Sequence, residues 1–359
     1  MTESVAQSQS VAQTQEVVVG AEGALRRLTL NRPKALNALT LNMTVIMTER
    51  LEAWASDPAV VAVMIDGAGE RALCAGGDLR GLYDAAKAGT RFPEQFWADE
   101  YRLDLLIARY RKPIIAVMDG VVMGGGVGIA AHAGHRVVTE RSSVAMPEVS
   151  IGFFPDVGVS YLLARAPGFV GTYLALTGER TNGDDAIYAG LADIHIPAAK
   201  LADLPAALAE CRSANDVTAR LREMSVPPAP GKLAIARGWI DACFAAATVE
   251  DISAQLGERP EEEARAALAT MRTKSPTALK ITLRNIRDAA AFQKLEQSFQ
   301  QDYRIALASI AGHDFIEGIR ATIVDKDRNP RWQPETLAGV TADIVERHFR
   351  RLGDGELTF

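Results

Sequence analysis

The sequence contains little cysteine, no long apolar run and no excess of basic charge, and each absence excludes a class of protein. Only three cysteines occur among 359 residues. None forms a Cys-x-x-Cys pair, so neither a disulfide framework nor a zinc knuckle is predicted. The net charge of -6 argues against nucleic acid as the main partner, because phosphate binding needs clustered Lys and Arg. No apolar run approaches the roughly 18 residues of a membrane span. We therefore expect neither a nucleic-acid nor a membrane partner, and the low cysteine use favours the cytoplasm.

Composition also predicts how the chain is organised. Residues 1–15 are mainly Ser, Gln, Ala and Thr, which cannot bury a core and predict a disordered tail. This stretch has neither the apolar segment of a secretory signal nor the arginines of a transit peptide. A proline-rich stretch at residues 225–230 marks a linker. We predict an α/β core over residues 16–225 and a helical C-terminal region over residues 226–359.

The predicted core repeats one pattern of strand, glycine turn and helix. Residues 60–66 and 113–118 are short and almost continuously apolar, which is typical of strands buried on both faces. Glycine-rich stretches at residues 76–77 and 120–128 follow these strands, and a helical segment comes after each. This succession predicts an α/β fold with crossover connections.

Three adjacent glycines, Gly124 to Gly126, precede one of the helices. Such a run indicates that the backbone bends sharply or that a ligand comes close, although a tight, well-packed turn is the plain alternative. A Walker loop is excluded because no Gly-Lys-Ser/Thr follows. A dinucleotide fingerprint is rejected because too few residues separate Gly128 from the next strand for a parallel crossover. The remaining functional interpretation is a row of N–H groups that binds a negative oxygen.

A second turn of this kind contains Cys74, Gly76 and Gly77. Cys74 precedes a helix, where the pKa of a thiol can fall, but a small buried cysteine is the more common case. The two glycine turns together suggest an oxyanion hole, which needs two donors aimed at one oxygen.

Two carboxylates, Glu148 and Asp156, flank an apolar stretch that contains Phe153 and Phe154. A carboxylate desolvated among such side chains tends toward a raised pKa and suits general-base or nucleophilic work. The plain alternative, in which Asp156 caps a helix and Glu148 forms a salt bridge, is as well supported by these residues as the catalytic interpretation. No Gly-x-Ser-x-Gly elbow and no His-Glu-x-x-His motif occurs, so neither a serine esterase nor a zinc hydrolase is predicted.

These segments, in their order and spacing, resemble the crotonase superfamily (enoyl-CoA hydratase/isomerase). The stretches that carry the resemblance are residues 32–37, 74–78, 120–128 and 146–148. Within the superfamily the sequence is most similar to the 3-hydroxyisobutyryl-CoA hydrolases, on residues 123–128, 145–148, 151–158, 174–178, 275–283, 312–320 and 325–332. The resemblance runs from about residue 16 to the end.

The resemblance implies a spiral of stacked ββα units and a helical C-terminal region that covers the site or joins subunits of a homo-oligomer. It implies oxyanion donors at the N–H groups of Cys74 and Gly125, a catalytic pair of Glu148 and Asp156, and Glu100 in the acyl pocket. Further substrate contacts are implied at Gly76, Gly77 and Gly124, and coenzyme A contacts at Lys34, Ala35 and Leu36. No metal or redox cofactor is needed, since coenzyme A is part of the substrate.

One departure from the hydratases directs the functional prediction. Hydratases carry two glutamates that position water, and the first of them falls at Gly128 here. We therefore predict hydrolysis of a short branched 3-hydroxyacyl-CoA thioester, 3-hydroxyisobutyryl-CoA in valine catabolism, with Glu148 as nucleophile or as general base. The alternatives are a hydratase or isomerase with Glu148 as sole base, and a non-catalytic coenzyme A-binding subunit.

Overall fold

In the computed structural model, which describes residues 15–359, nine strands form two sheets. The strands are β1 (Val17–Glu22), β2 (Leu25–Leu30), β3 (Ala62–Gly67), β4 (Ala72–Cys74), β5 (Ile114–Met118), β6 (Val121–Met123), β7 (His135–Val138), β8 (Ser143–Ala145) and β9 (Ile194–His195). The larger sheet has the order β1-β2-β3-β5-β7-β9, and the smaller one has the order β4-β6-β8. Among the strand pairs of residues 15–359, only the β1–β2 hairpin is antiparallel.

Successive units of the chain give one strand to each sheet. β3, β5 and β7 lie side by side in the larger sheet, and β4, β6 and β8, which follow them directly, lie side by side in the smaller one. Val63 pairs with Ile114, and Val121 pairs with Ser143. Each unit therefore adds one strand next to that of the preceding unit in both sheets, which confirms the predicted crotonase-like spiral.

Gly120 turns the chain from the larger sheet into the smaller one. Its φ is +70°, and a Cβ at this position would lie 2.5 Å from the carbonyl oxygen of Arg71. The residue must therefore be glycine, because only glycine adopts this conformation at such a close approach without strain.

Helices cover the sheets and make up most of the chain after β8. They are α1 (Leu41–Ala55), α2 (Leu79–Lys87), α3 (Phe92–Ala108), α4 (Gly125–Ala131), α5 (Val159–Leu163), α6 (Val170–Thr177), α7 (Gly183–Tyr188), α8 (Leu204–Ala209), α9 (Ala214–Met224), α10 (Lys232–Phe244), α11 (Val249–Glu258), α12 (Glu262–Met271), α13 (Pro276–Ala291), α14 (Leu295–Ile310), α15 (Asp314–Ile319) and α16 (Ala342–His348). Thr40 caps α1 by accepting a hydrogen bond from the N–H of Met43, as its residue type favours.

One hydrophobic core crosses the boundary predicted near residue 225. Tyr173 of α6 packs edge-to-face against Trp239 of α10, with ring centroids 5.5 Å apart. Residues from both sides of the boundary belong to the same buried cluster. The division into residues 16–225 and 226–359 stays a prediction, and the predicted tail at residues 1–15 lies outside the described residues except for Gln15. No helix within residues 15–359 is long and apolar enough to cross a membrane.

Candidate active site

A cavity of about 240 Å³ opens where the glycine turns of the spiral meet the first residues after β8. Its walls bring together seven residues that the sequence analysis named. They are Gly76, Gly77, Glu100, Gly124, Gly125, Glu148 and Asp156. Residues separated along the chain thus share one site because β4, β6 and β8 end at the same edge of the smaller sheet.

Two backbone N–H groups lie close together in the wall of this cavity. Gly125 is the first residue of α4, where an N–H has no partner within the helix. The nitrogen of Gly77 lies 3.5 Å from the position that a Cβ on Gly125 would occupy. Within residues 15–359 the N–H of Gly77 has no hydrogen-bond acceptor. This arrangement can place two donors on one carbonyl oxygen.

Cys74 does not occupy the place that the resemblance implied for it. It is the last residue of β4, is fully buried and does not line the cavity. Burial raises the pKa of its thiol to about 12, which also removes it as a nucleophile. The prediction for its N–H is corrected to Gly77, three residues farther along the same turn.

Two glycines allow carboxylates to approach the donors. Gly124 has φ +51°, and a Cβ there would lie 2.8 Å from Oε1 of Glu148. A Cβ on Gly125 would overlap Oε1 of Glu100. Both positions need glycine because the space of a side chain is taken by a carboxyl group.

Glu148 begins a short 3-10 helix, Glu148–Ile151, directly behind the glycine loop. Its side chain is buried, and its Oε2 has no hydrogen-bond partner among residues 15–359. Burial, followed by the charge of Asp156, raises the pKa of Glu148 well above its usual value. An unpartnered buried carboxyl is costly and points to a substrate or water as its missing partner.

Asp156 is buried beside Tyr101, whose hydroxyl donates a 2.7 Å hydrogen bond to its Oδ2. Burial raises the pKa of Asp156 to about 7, and the bond from Tyr101 opposes this rise. No ion pair reaches Glu148 or Asp156 within the part of the chain that the structure describes. The plain alternative of a salt-bridged Glu148 therefore does not hold. Asp156 is not a helix cap either, since Gly158 precedes α5 and no side chain among the described residues caps that helix.

The structure adds three residues that the sequence analysis missed. Tyr101 and Asp104 follow Glu100 on α3. Asp302 belongs to α14 and lies behind Asp156. Neither oxygen of Asp104 has a partner among the described residues. Asp302 accepts from the N–H of Gly158 and from Asn285. The spacing of Glu100 and Asp104 by four residues, on a helix rich in apolar residues, is the signal that could have found Asp104.

Burial raises the pKa values of Glu100, Asp104 and Asp302 well above their usual range. The nearby charge of Asp156 further raises the pKa values of Glu100 and Asp302. For Asp104, the largest contribution after burial comes from the charge of Glu100. The site is thus a group of carboxyls that compete for negative charge, and such groups are typical of acid–base chemistry.

Gly128 lies against this group from α4. A Cβ at Gly128 would lie 2.7 Å from Oδ2 of Asp104 and 2.8 Å from Cβ of Val157. His132, one turn later, is neutral because burial lowers its pKa to about 4. Its Nε2 lies 2.7 Å from the carbonyl oxygen of Val157. Within residues 15–359 no three His, Cys, Asp or Glu side chains converge as a metal site would require.

The predicted coenzyme A segment runs beside the cavity. Lys34 and Ala35 lie in a 3-10 helix, Pro33–Ala35, and line a separate groove. Leu36 lies outside this groove, and its carbonyl oxygen accepts a 3.0 Å hydrogen bond from the N–H of Ala75. The segment is therefore tied to the turn that holds Gly77. Its contact with coenzyme A stays a prediction.

Aromatic rings close the cavity on the side of Glu100. Trp97 stacks on Phe153 with ring centroids 5.6 Å apart, and Phe153 stacks on Phe315 at 4.4 Å. All three rings line the cavity. They exclude water and lower the local dielectric, so the interactions of the buried carboxyls are strengthened.

Comparison with known proteins agrees with this geometry. A model of the enoyl-CoA hydratase/isomerase family matches residues 25–349. The chain belongs to the enoyl-CoA hydratase/isomerase family. The predicted resemblance is thereby confirmed, and the two backbone donors lie on the glycine turns through which the chain resembles that family.

Several members of the family are similar over nearly the whole chain. The chain is 40% identical to the mitochondrial 3-hydroxyisobutyryl-CoA hydrolase of Xenopus tropicalis, over 95% of this chain and 90% of the relative. It is 39% identical to the human protein of that name, over 96% and 91%.

Solved structures of the family carry other names. The structure of a carnitinyl-CoA dehydratase from Mycobacterium thermoresistibile superposes with a TM-score of 0.92 at 48% identity, covering 96% of this chain and 99% of that one. An enoyl-CoA hydratase from Rhodobacter sphaeroides 2.4.1 gives a TM-score of 0.89 at 41% identity, covering 96% and 100%. The fold is shared by all of these, so the reaction has to be argued from the site.

Proposed function

We propose that this protein hydrolyses 3-hydroxyisobutyryl-CoA to 3-hydroxyisobutyrate and coenzyme A, the reaction that its hydrolase relatives are named for. One observation carries the proposal. The buried, unpartnered carboxyl of Glu148 lies against Gly124, beside the two backbone donors of Gly77 and Gly125. A thioester whose oxygen accepts from those N–H groups presents its carbonyl carbon next to this carboxyl.

The donors stabilise the negative charge that develops on the thioester oxygen during attack. Because the N–H groups are fixed before the substrate arrives, they need no reorganisation as the charge forms. Loss of one such donor typically reduces the rate by about a hundredfold or more. The rigid tie between Leu36, Ala75 and the turn that holds Gly77 keeps one of them in place.

Glu148 supplies the attack in one of two ways. As a nucleophile, its carboxylate adds to the carbonyl carbon and expels the coenzyme A thiolate, and water then hydrolyses the mixed anhydride. As a general base, it takes a proton from water, the resulting hydroxide adds to the carbonyl carbon, and the tetrahedral intermediate then expels the coenzyme A thiolate. Both routes need an ionised Glu148. The raised pKa makes Glu148 a stronger base, but it also shifts its ionisation to higher pH.

Asp156 and Glu100 complete the acyl end of the cavity. Asp156 carries its charge more readily than its neighbours because Tyr101 donates a hydrogen bond to it. A carboxylate at this position accepts a hydrogen bond from the 3-hydroxyl group of the substrate or orients the attacking water. A site built to bond a hydroxyl discriminates strongly against acyl groups that lack it.

The glycine at position 128 supports hydrolysis over hydration by the two-glutamate mechanism. Gly128 stands where the two-glutamate hydratases carry their first glutamate, and Asp104 and Val157 fill the space beside it.

We propose coenzyme A as part of the substrate, valine catabolism as the pathway and the cytoplasm as the location. The relatives are named mitochondrial. A homo-oligomer stays a prediction.

Thiol release from 3-hydroxyisobutyryl-CoA, followed with a thiol reagent, tests the proposal. We expect fast release that requires the substrate hydroxyl, so isobutyryl-CoA should react much more slowly. Release from neither thioester would contradict the hydrolase function. Loss of enoyl absorbance from crotonyl-CoA would then identify a hydratase, and tight acyl-CoA binding without turnover would identify a binding subunit.

A further inference from the structure

A lysine contacts the wall of the cavity close to Glu148. Lys274 lies in the turn between α12 and α13, and its Nζ donates a 2.8 Å hydrogen bond to Oγ of Ser150. Ser150 lines the cavity and belongs to the same 3-10 helix as Glu148. The mechanism above uses neither residue of this pair.

Lys274 is a partly buried cation without a partner of opposite charge. No carboxylate within residues 15–359 forms an ion pair with it, and Ser150 is the only hydrogen-bond partner of its ammonium group there. Burial lowers its pKa, and the charge of Glu179 opposes this effect. Desolvating an ammonium group in this way is unfavourable, so its position needs a compensating role.

The direction of the hydrogen bond determines what Ser150 can do. An ammonium group has three donors and no acceptor, so the oxygen of Ser150 must be the acceptor in this pair. The hydroxyl proton of Ser150 is then left for another acceptor. None exists among the residues that the structure describes. A hydroxyl that accepts from a cation is also a better donor, because hydrogen bonds in a chain polarise one another.

We propose that Ser150 contacts the substrate, donating a hydrogen bond to an oxygen of the bound acyl-CoA, and that Lys274 is the positioning residue that orients this hydroxyl. The inference rests on the proposed function, which supplies the acyl-CoA. The thioester oxygen is taken by Gly77 and Gly125. The acceptor for Ser150 is therefore an amide carbonyl oxygen of the pantetheine chain or the 3-hydroxyl oxygen of the acyl group.

Binding to a variant that cannot turn over its substrate tests the inference directly. In the full chain carrying Glu148→Gln, calorimetry gives the Kd for 3-hydroxyisobutyryl-CoA with and without Ser150→Ala. We expect Ser150→Ala to raise Kd about three- to tenfold, as the loss of one hydrogen bond would. Ser150→Thr, which keeps the hydroxyl, should restore most of the affinity. An unchanged Kd for Ser150→Ala overturns the proposal.

The Kd values of Lys274 variants test the role of Lys274 separately. Lys274→Met should raise Kd by a factor similar to that of Ser150→Ala, and the double variant should bind no more weakly than Ser150→Ala alone. Lys274→Arg should recover the affinity, because a donor cation is restored. Additive effects of the two substitutions would contradict the positioning role. Ser253→Ala and Lys280→Met are matched controls, since both residues make hydrogen bonds away from the cavity.

The choice of acyl-CoA distinguishes the two acceptors. An equal loss of affinity for 3-hydroxyisobutyryl-CoA and isobutyryl-CoA identifies a pantetheine amide oxygen, and a loss confined to the first identifies the substrate hydroxyl. Both results support the proposal. If Ser150→Ala does not fold, as judged by its melting temperature, Ser150→Cys replaces it, because a thiol is a weak donor.

Failure of the proposed function is separable from failure of this inference. Wild-type protein that releases no thiol, together with Ser150-dependent binding, would remove the hydrolase reaction and leave the contact. Thiol release with Ser150-independent binding would support the hydrolase reaction and exclude the Ser150 contact. An acyl adduct on Ser150, detected by mass spectrometry in the wild type, would make Ser150 a nucleophile and overturn the proposal.

Discussion

The acidic residues of the cavity and those around Arg320 show what the same side chain does in two environments. Arg320 contacts Glu317, Asp325 and Asp327 near the protein surface. Hydrogen bonds to Arg320 lower the pKa values of Glu317 and Asp327. In the cavity, Glu148 has no such partner, and burial raises its pKa.

The difference separates stability from reactivity. Arg320 favours the ionised forms of Glu317 and Asp327, and exposed ion pairs of this kind contribute little to stability. The cavity carboxyls Glu100, Asp104, Glu148 and Asp156 lose solvation and gain no cation from residues 15–359, so they destabilise the fold whenever they ionise. Perturbed groups of this kind are found at functional sites because chemistry needs them there.

The largest expected effect comes from Glu148→Gln, which removes the attacking carboxylate and keeps the shape of the side chain. We expect kcat for thiol release to fall by about a hundredfold or more, the usual contribution of a general base. Glu346→Gln is a matched control, since Glu346 is exposed and pairs with Arg284. A decrease of less than tenfold for Glu148→Gln would remove it from the reaction.

A smaller effect is expected from Tyr101→Phe, which removes the hydrogen bond to Asp156. The bond favours the ionised form, so its loss raises the pKa of Asp156 above about 7. A reaction that needs ionised Asp156 then slows at pH 6 by about tenfold, as loss of a bond to a charged group implies. The profiles of kcat/KM against pH should converge above pH 8. A uniform decrease at every pH would show that Tyr101 has a different role.

Asp104→Asn is expected to raise the free energy of unfolding by about 1–3 kcal/mol, since an unpaired buried charge is removed. The pKa of Asp104 is raised in the folded protein. The folded state therefore holds this proton more tightly, and stability is lost as pH rises above the unfolded value of about 3.9. Urea unfolding at pH 5 and pH 8 should show the variant gaining more at pH 8. A larger loss at pH 8 would contradict the uncompensated burial of Asp104.

The smallest effect is expected from Arg320→Gln, with the opposite sign. The substitution leaves Glu317, Asp325 and Asp327 facing one another without their shared cation. We expect a modest loss of stability in urea unfolding at low salt, and a smaller one in 1 M salt because surface charges are screened. A loss that does not depend on salt would mean that packing, rather than charge, is what Arg320 contributes.

Much of the fold could be predicted because its signals are local. The glycines at the start of α4 mark a helix at the predicted position, and Thr40 is of a residue type that favours the N-cap of α1. The location of the carboxyl pair could be predicted too, since Glu148 and Asp156 flank an unusually apolar stretch.

The remaining features depend on contacts between distant segments. The choice of Gly77 over Cys74 as donor follows from the pairing of Leu39 with the turn after β4, and no local pattern shows this. The role of Tyr101 depends on how α3 lies against the residues that follow β8. Asp302 joins the group only because α14 packs against α3 from the far end of the chain.

The crowding around Gly128 restricts how this active site can change during evolution. A hydratase of the two-glutamate type would need a glutamate at this position, but its first side-chain carbon would overlap Asp104 and Val157. A single substitution would thus damage the protein before it gave a new reaction. A route from hydrolysis to hydration has to pass through changes at Asp104 or Val157 first, so the two activities are separated by an ordered path of several substitutions.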